Sequence, residues 1–365
     1  MPVHIGNLWP FRQQAISAPL GEMKLCFCYS CGHVFNQAFE PGRLDYEQPY
    51  DNSLFFSAAF KSYADLLSNS LIKKYDLREK RILEIGSGQG DFLKLICETG
   101  QNEGVGYDPS YQPDFQHDPI GERLKFVRGY YSTADIDQGF NLVCSRHTLE
   151  HLVDPGKLLN VMCQNALRFP QTVFYFEVPN FDYTCRSIAL WDLIYEHCQY
   201  FTTQSLRYLI EKWGFEILDL YESFSGQYLS VEFRLAQQKN LDFRDGNRDF
   251  SKKVHFTQKA HQKIEEWQTT LERVNEKKEQ VVIWGAGAKG VSFLNILCAK
   301  EIKQVVDINP RKQGMFIPGT GQEIIPPEAL LATRPKHVIV MNPVYINEIR
   351  DYLKRFDIRS ELWLS

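Results

Sequence analysis

The stretch ILEIGSGQGDFL, residues 82–93, is the most informative part of this chain. An apolar run containing Glu84 leads into a glycine-rich turn, and a helix-like pattern follows. Such a turn lets a ligand approach the backbone, and the helix that follows it presents free N–H groups. A second apolar run, GVGYD, ends at Asp108, where a carboxylate can bind a ribose diol. Together the two features predict a cofactor with an adenosine end. The turn glycines are Gly86, Gly88 and Gly90.

The spacing of these glycines separates two classes of cofactor. G-x-G-x-G preceded by an acid resembles motif I of the class I S-adenosylmethionine (SAM) methyltransferases. A dinucleotide fingerprint would have glycine at its sixth position, where Asp91 stands, because a larger side chain there disturbs helix–strand packing. We therefore predict SAM at this site. The residues predicted to bind it are Glu84, Gly86, Ser87, Gly88, Gly90, Asp108, Pro109 and His147.

Composition and charge narrow the class of protein. A chain of 365 residues suits two to three domains, and 44% hydrophobic with 24% charged residues is ordinary for a globular protein. The net charge of −4 gives no basic excess, so we expect neither nucleic acid nor membrane as a partner. The sequence also lacks a membrane-span pattern and a signal pattern, which favours a cytoplasmic protein. The oligomeric state stays open.

The alternation of elements along the chain predicts the fold class. From residue 80 to about 180, strand and helix patterns alternate, which is typical of a doubly wound, mostly parallel α/β sheet. Two later strand patterns, 215–224 and 227–236, predict an antiparallel pair that closes the sheet. The predicted units are an N-terminal cysteine-bearing segment, a SAM-binding domain, a connecting helix and a Rossmann-like C-terminal domain. Their ranges are 1–50, 51–240, 241–278 and 279–365.

The segment LWDLIYEHCQYFTTQSL, residues 190–206, carries a candidate catalytic pair. A neutral His197 is a natural general base near neutral pH, and Glu196 beside it can orient the ring. Tyr195 is a further candidate catalytic residue, and both Tyr195 and Tyr200 are candidates for the wall of a substrate pocket. Asn180, at the end of the preceding strand FEVPN, is a further candidate for substrate binding. The alternative is that this segment only packs against the substrate side of the domain.

The segment FNLVCSRHTLEHLVDP, residues 140–155, predicts a strand that turns into a helix carrying His147, Glu150 and His151. Two interpretations stay open. His147 faces the substrate as a catalytic residue, or it lines the cofactor while Glu150 and His151 support the helix. The spacing H-x3-H would also place two metal ligands on one helix face. A metal is disfavoured here because the sequence shows no third ligand nearby.

The cysteine cluster CFCYSCGHVFN, residues 26–36, has the spacing of half a zinc site. Cys28 and Cys31 stand in a C-x2-C arrangement, but a closed structural site needs four ligands. The sequence contains no second C-x2-C pair. Zinc bound at Cys28 and Cys31 and a metal-free remnant therefore both stay open.

A second glycine turn, GAGAKG at 285–290, has true G-x-G-x-x-G spacing and is followed by Asp307. This pattern fits an NAD-dependent oxidoreductase that uses residues 285–307. It also fits a module that has lost its cofactor and binds the nucleotide end of a substrate. In that second interpretation, Lys289 contacts a phosphate.

In chain order these segments resemble the three-part sugar C-methyltransferases, which have a zinc-binding N-terminal domain, a SAM domain and a Rossmann-like C-terminal domain. The resemblance covers nearly the whole chain and is most specific at GAGAKG…VVDINPRKQGMFIPGT, 285–320. It implies that a histidine beside a glutamate removes a proton next to a keto group of a nucleotide sugar. The family's YHEH…YF is IYEHCQYF here, with Ile194 and Tyr195 as departures and the pair Glu196–His197 retained.

We therefore expect SAM-dependent C-methylation of a small molecule, either a nucleotide-linked sugar or a natural product, with His197 as base. Methylation of oxygen or nitrogen on a small metabolite is the alternative within the same class.

Overall fold

The computed structural model describes residues 1–44, 53–112, 121–135, 137–237 and 251–365. The predicted domain boundaries at residues 50 and 240, and residues 241–250 of the predicted connecting helix, lie outside the described residues. Within these ranges the α-helices are α1 Arg12–Ile16, α2 Ala58–Tyr75, α3 Asp91–Gly100, α4 Pro155–Arg168, α5 Phe181–Ser187, α6 Thr203–Lys212, α7 Ser251–Glu276, α8 Ala288–Leu297, α9 Leu330–Thr333 and α10 Ile346–Arg355.

The strands form three sheets. Their bounds are β1 Leu25–Phe27, β2 Val34–Asn36, β3 Arg81–Ile85, β4 Glu103–Tyr107, β5 Leu124–Val127, β6 Leu142–Arg146, β7 Val173–Pro179, β8 Gln199–Tyr200, β9 Phe215–Ser223, β10 Tyr228–Leu235, β11 Val281–Trp284, β12 Gln304–Val306, β13 Glu323–Ile325, β14 His337–Val340 and β15 Glu361–Leu364.

The central sheet has seven strands in the order β5-β4-β3-β6-β7-β10-β9. The first five are parallel, while β10 runs antiparallel to both β7 and β9. β6 is buried along its whole length, because helices cover both faces of a parallel sheet and make its central strands continuously apolar. This arrangement confirms the predicted doubly wound sheet with a late antiparallel pair.

The C-terminal domain is built on a five-stranded parallel sheet, order β13-β12-β11-β14-β15. Its second glycine turn follows β11, and the turn at residues 86–90 follows β3. Both turns therefore lie at carboxyl ends of parallel strands, where ligands bind in α/β folds.

A small antiparallel sheet joins the N-terminal segment to the loop that carries the candidate catalytic pair. Its order is β1-β2-β8, with Val34 opposite Tyr200 and Phe35 opposite Gln199. On the other side of this loop, Trp191 packs against Phe293 of the C-terminal domain, with ring centroids 4.7 Å apart. The loop is thus held by two neighbouring units, which restricts its conformations.

None of the helices in the described residues combines the length and the apolar character that a bilayer-spanning helix needs.

Candidate active site

One large cavity, of about 1130 Å³, lies between the central sheet and the C-terminal domain. Both glycine turns face it, since Gly88 and Gly287 are among the residues that line it. The structure therefore brings together two motifs that lie about 200 residues apart in the sequence. The predicted site residues that line the cavity are Glu84, Gly86, Ser87, Gly88, Asp108, Pro109, His147, Asn180, His197 and Lys289.

The three glycines of the first turn are required for different physical reasons. All three have positive φ angles, 74° at Gly86, 54° at Gly88 and 85° at Gly90. A Cβ atom at Gly86 would lie 1.9 Å from Oγ1 of Thr148, and one at Gly90 would lie 2.3 Å from the ring of Phe126. A Cβ atom at Gly88 would meet nothing within 4 Å. Gly86 and Gly90 thus allow close packing of the protein, whereas Gly88 leaves space on the cavity side.

Asp108 braces this turn from the end of β4. One carboxylate oxygen accepts a hydrogen bond from the Gly88 N–H at 2.7 Å. The other accepts from the backbone N–H and the hydroxyl of Ser110, at 2.7 and 2.6 Å. Asp91, at the start of α3, accepts a hydrogen bond from the Ser53 hydroxyl at 2.6 Å. The carboxylate predicted to bind ribose therefore lies beside the glycine turn and lines the cavity.

Glu84 is buried within β3. Its carboxylate accepts a hydrogen bond from the Leu93 N–H at 3.1 Å, which links the strand to α3. Burial raises the pKa of Glu84 to about 8, although the positive charge of Arg146 acts in the opposite direction. Glu84 therefore has a structural role, because it connects β3 to α3. Its predicted contact with the cofactor stays a prediction.

A buried ion pair stands at the ends of β6 and β7. The Arg146 guanidinium donates to Oε1 of Glu177 from Nε at 3.0 Å and from Nη2 at 2.8 Å. Burial alone would raise the pKa of Glu177, but Arg146 and then His147 hold it well below its usual range. Tyr63 donates its hydroxyl to the other oxygen of Glu177. The Arg146–Glu177 ion pair holds β6 and β7 together next to His147, which lines the cavity.

His147 follows this ion pair in a left-handed conformation, with φ at 51°. Its Nε2 is 3.2 Å from Oε1 of Glu177, and its Nδ1 is 3.6 Å from Oε1 of Glu150. Burial lowers the pKa of His147, but the two carboxylates outweigh that effect and raise it to about 9. His147 is therefore an imidazolium at neutral pH, which places a positive charge at the cavity and makes the ring a poor proton acceptor.

His197 has the opposite electrostatic environment. Burial and the nearby rings of His151 and His147 hold the pKa of His197 well below its usual value. The ring is therefore neutral near pH 7, and it lines the cavity. The carboxylate of Glu150 lies 4.0 Å from its Nε2, and the ring centroid of His151 lies 4.8 Å away. A neutral imidazole at a cavity wall can accept a proton from a bound substrate.

The backbone around Glu150 differs from the prediction. A helix carrying His147, Glu150 and His151 was expected, and that prediction was wrong. The residues Leu149–His151 form a short 3-10 turn, and α4 begins only at Pro155. Proline favours the first turn of a helix, and the Asp154 carboxylate caps it by accepting from the Gly156 N–H at 3.1 Å.

Three residues predicted near the substrate have other contacts and do not line the cavity. Tyr195 accepts a hydrogen bond from the Glu40 N–H at 2.9 Å. Glu196 accepts one from the Ile5 N–H at 2.7 Å. Tyr200 donates to the Ile194 carbonyl at 2.9 Å. Tyr195 and Glu196 thereby attach the loop to the N-terminal segment, and these contacts give both residues a structural role.

Asn180 lines the cavity but uses its side chain to cap α5. Its oxygen accepts from the N–H groups of Asp182 and Tyr183, at 3.0 and 3.2 Å. Its amide group donates to Glu222 at 3.1 Å and to the Gly226 carbonyl at 2.8 Å. This amide therefore positions the end of β7.

Cys28 and Cys31 lie close together, since each thiol is within hydrogen-bonding reach of the other. The Cys26 thiol contacts Gln37 at 3.2 Å, and the His33 ring contacts Gln199 at 2.5 Å. Within the described residues, no third metal-ligating group joins Cys28 and Cys31. The residues present there do not make up the four ligands of a closed zinc site.

The second glycine turn has the geometry of a Rossmann fingerprint. Gly285 has a φ of 118°, and a Cβ at Gly290 would lie 2.0 Å from the Gly285 carbonyl. The Asp307 carboxylate accepts a hydrogen bond from the Ala286 N–H at 2.8 Å, much as Asp108 does from Gly88. Lys289 forms an ion pair with Asp192, which lies in the segment preceding His197.

Sequence reasoning did not find the pair Arg146–Glu177 or the contact from Tyr63. A signal was present: each strand pattern is largely apolar and carries one charged residue, Arg146 as the last residue of NLVCSR and Glu177 within VFYFEVP. Opposite charges in adjacent parallel strands can pair with each other. The adjacency of these two strands, however, is visible only in the structure.

Comparison with known proteins agrees with this geometry. Residues 55–220 match the family model of a methyltransferase domain. Residues 229–362 match the model of a C-methyltransferase C-terminal domain. The chain is 24% identical over 304 residues to the C-methyltransferase NovU of Streptomyces niveus, covering 75% of this chain and 69% of that protein.

Solved structures with some similarity include the magnesium protoporphyrin IX methyltransferase of Synechocystis PCC 6803, with bound SAH. It is 12% identical, with a TM-score of 0.38, over 49% of this chain and 84% of that one. Another is the 1,6-didemethyltoxoflavin-N1-methyltransferase of Burkholderia thailandensis, 17% identical with a TM-score of 0.37, over 58% of this chain and 99% of that one. Scores this low add nothing to the topology described above.

The sheet, the first glycine turn and the matched methyltransferase domain define a SAM-dependent class I methyltransferase. More particularly, the chain carries the C-terminal domain of the C-methyltransferases, and it resembles a C-methyltransferase over most of its length. This confirms the class predicted from the sequence.

Proposed function

We propose that this enzyme methylates a carbon atom of a nucleotide-linked sugar and that His197 is the general base. The observation that supports this best is the shared cavity. The glycine turn beside Asp108, the neutral ring of His197 and the second glycine turn with Lys289 all line it. A cavity of about 1130 Å³ exceeds the usual range for one small ligand, about 300 to 1,000 Å³, and suits two ligands side by side.

In the proposed reaction, SAM supplies a methyl group on a sulfonium that accepts an electron pair. His197 removes a proton from the carbon next to a carbonyl of the substrate. The electron pair left on that carbon forms the new C–C bond as the S–CH3 bond breaks, giving S-adenosylhomocysteine. Loop anchors on both sides of His197 hold the ring in place, which lowers the entropic cost of reaching this geometry.

The experiment compares the wild-type protein with His197→Asn, using a nucleoside-diphosphate keto sugar and SAM labelled with 13C in its methyl group. We expect the wild type to form a 13C–C product visible by NMR. With S-adenosylhomocysteine in place of SAM, in D2O, it should exchange the substrate proton next to the carbonyl. His197→Asn should lose both reactions by about 100-fold or more, because general-base catalysis contributes about 10² to 10⁴.

The matched control is His255→Asn, since His255 is exposed on α7. That variant should behave as the wild type. Full activity of His197→Asn would contradict the base assignment. Labelled methyl groups on oxygen or nitrogen of a small metabolite would contradict C-methylation and favour the alternative within this class.

Zinc at Cys28 and Cys31 stays a prediction. It is supported only by the closeness of these two thiols. Elemental analysis of the purified protein and of a Cys28→Ser/Cys31→Ser variant tests it, and equal zinc contents in both proteins would contradict it.

A further inference from the structure

A cluster of three potential metal ligands lies on the cavity wall. It consists of Glu150 and His151, from the 3-10 turn after β6, and His197, from the loop before β8. One ligand atom from each lies within 4.8 Å of the others. The sequence offered no third ligand near His151, because His197 is 46 residues further along the chain and only the fold brings it there.

Two members of this cluster, Glu150 and His197, have buried polar atoms without hydrogen bonds among the described residues. Glu150 is 1% exposed. Among the residues that the structure describes, neither of its carboxylate oxygens has a hydrogen-bond partner, and neither does Nδ1 of His197. A buried carboxylate without hydrogen bonds carries a large desolvation cost. The cluster therefore has unused capacity to bind a ligand.

The backbone on either side of the cluster is fixed. The Cys198 thiol donates to the Glu150 carbonyl at 3.5 Å. The Gln199 amide donates to the carbonyls of Leu152 and Val153 at 3.3 and 3.2 Å. These bonds attach the residues immediately after His197 to the turn that carries Glu150. The spacing of the cluster is thus set by the fold, as a metal site requires.

We propose that Glu150, His151 and His197 bind a divalent transition-metal ion, and that the bound ion blocks His197 as a base. Two imidazoles and one carboxylate favour zinc, nickel or copper over magnesium and calcium. A tetrahedral ion about 2.0 to 2.2 Å from each ligand needs ligand atoms about 3.4 Å apart. Nε2 of His197 and Oε1 of Glu150 are 4.0 Å apart, and all three ligand atoms lie within 4.8 Å of one another, so metal binding requires side-chain rotations that bring them closer together.

The positive charge of His147 lies near this site and opposes a cation. Its Nδ1 is 3.6 Å from Oε1 of Glu150 and its Nε2 is 3.2 Å from Glu177. The carboxylate of Glu177 offsets that charge, and Glu150 has a second oxygen available to the ion. All three ligand residues line the cavity, so an ion bound to them would be accessible from it.

Binding is tested on the full chain by calorimetric titration with ZnCl2 and by the absorption spectrum of added Co²⁺. We expect one ion per chain at this site and a tetrahedral Co²⁺ spectrum. Glu150→Gln and His151→Asn should each weaken binding by at least about tenfold. His255→Asn should bind as the wild type, and Cys28→Ser/Cys31→Ser should keep this ion because its thiols are not ligands here.

Unchanged binding in both Glu150→Gln and His151→Asn would overturn the proposal, as would loss of all binding in the cysteine variant. SAM binding serves as the folding control for each variant. If Glu150→Gln does not fold, His151→Asn decides, since His151 is only half-buried.

The inhibitory part rests on the proposed role of His197. We expect ZnCl2 to stop methyl transfer over the concentration range in which it binds, and EDTA to restore it. Zinc binding without inhibition would overturn the inhibitory part alone. Full activity of His197→Asn would separately contradict the base assignment and leave the binding site in place.

Discussion

Two histidines on one cavity wall have opposite charge states at neutral pH. Glu150 and Glu177 raise the pKa of His147 to about 9, whereas burial beside two other imidazoles lowers the pKa of His197. The same residue type thus provides a fixed positive charge at one position and a proton acceptor at the other. This division favours His197 over His147 as the base.

At the residue scale, Asp108→Ala should weaken SAM binding by about tenfold or more. Charge-assisted hydrogen bonds from ribose hydroxyls contribute about 1.5 to 3 kcal/mol, and the alanine also removes the brace on the Gly88 N–H. Titration calorimetry with SAM measures the change. Asp65→Ala, which removes an exposed carboxylate on α2, is the control and should have no effect.

The same titration with NAD tests which of the two glycine turns binds a cofactor. If residues 285–307 served an oxidoreductase, NAD would bind with an affinity that depends on Asp307. We expect the Asp307→Ala substitution to leave any NAD affinity of the protein unchanged. An NAD affinity lost in that variant, together with SAM binding unaffected by Asp108→Ala, would reverse our assignment of the two turns.

At the element scale, the first glycine turn combines a packing requirement with a ligand requirement. Gly86 sits against Thr148, while Gly88 borders open space. Both have positive φ angles, which cost an alanine about 1 to 2 kcal/mol. The two positions should therefore respond differently to the same substitution.

Gly86→Ala should lower the free energy of unfolding by about 2 to 5 kcal/mol, because backbone strain adds to a clash with Thr148. Gly88→Ala should lower it by only about 1 to 2 kcal/mol yet weaken SAM binding, since the new methyl group enters the cavity. Urea unfolding and SAM titration measure the two effects. Gly42→Ala, with open space and no positive φ, is the control; equal stability losses in both turn variants would contradict this distinction.

Strands and long helices were predicted well from the sequence, whereas the turn at Leu149–His151 was not. The pattern NLVCSR predicts β6 because buried parallel strands are continuously apolar. The 3-10 turn at Leu149–His151 and the start of an α-helix differ in the backbone conformation of only a few residues. Pro155 begins α4, and proline is tolerated in the first turn of a helix but not in its interior. Local pattern alone does not distinguish the two.

At the scale of the whole molecule, the two domains enclose one cavity through direct contacts. The side-chain amides of Gln227 and Asn342 exchange two hydrogen bonds, at 2.9 and 3.0 Å. The Ser57 hydroxyl donates to Glu348 at 2.8 Å, which joins α2 to α10. A substrate can therefore touch both domains at once, as the proposed nucleotide-linked sugar requires.

Lys289→Ala should raise the KM for the nucleotide sugar by about tenfold or more while the SAM affinity stays unchanged, because a charge-assisted bond to phosphate contributes about 1.5 to 3 kcal/mol. Steady-state kinetics and SAM titration provide the two readouts. Lys300→Ala changes an exposed lysine of the same domain and is the control. An unaltered KM would argue against a phosphate contact at Lys289.

The sequence by itself determined the enzyme class, the sheet with its antiparallel end and the presence of two glycine turns. These follow from local rules: apolar periodicity, strand ends and the backbone freedom of glycine. Only the tertiary structure decided which side chains share the cavity. It placed His197 beside Glu150 and His151, and it gave Glu196 a contact with the N-terminal segment. Such placements depend on how distant segments pack, and no local pattern in the chain encodes the distance between residues 150 and 197.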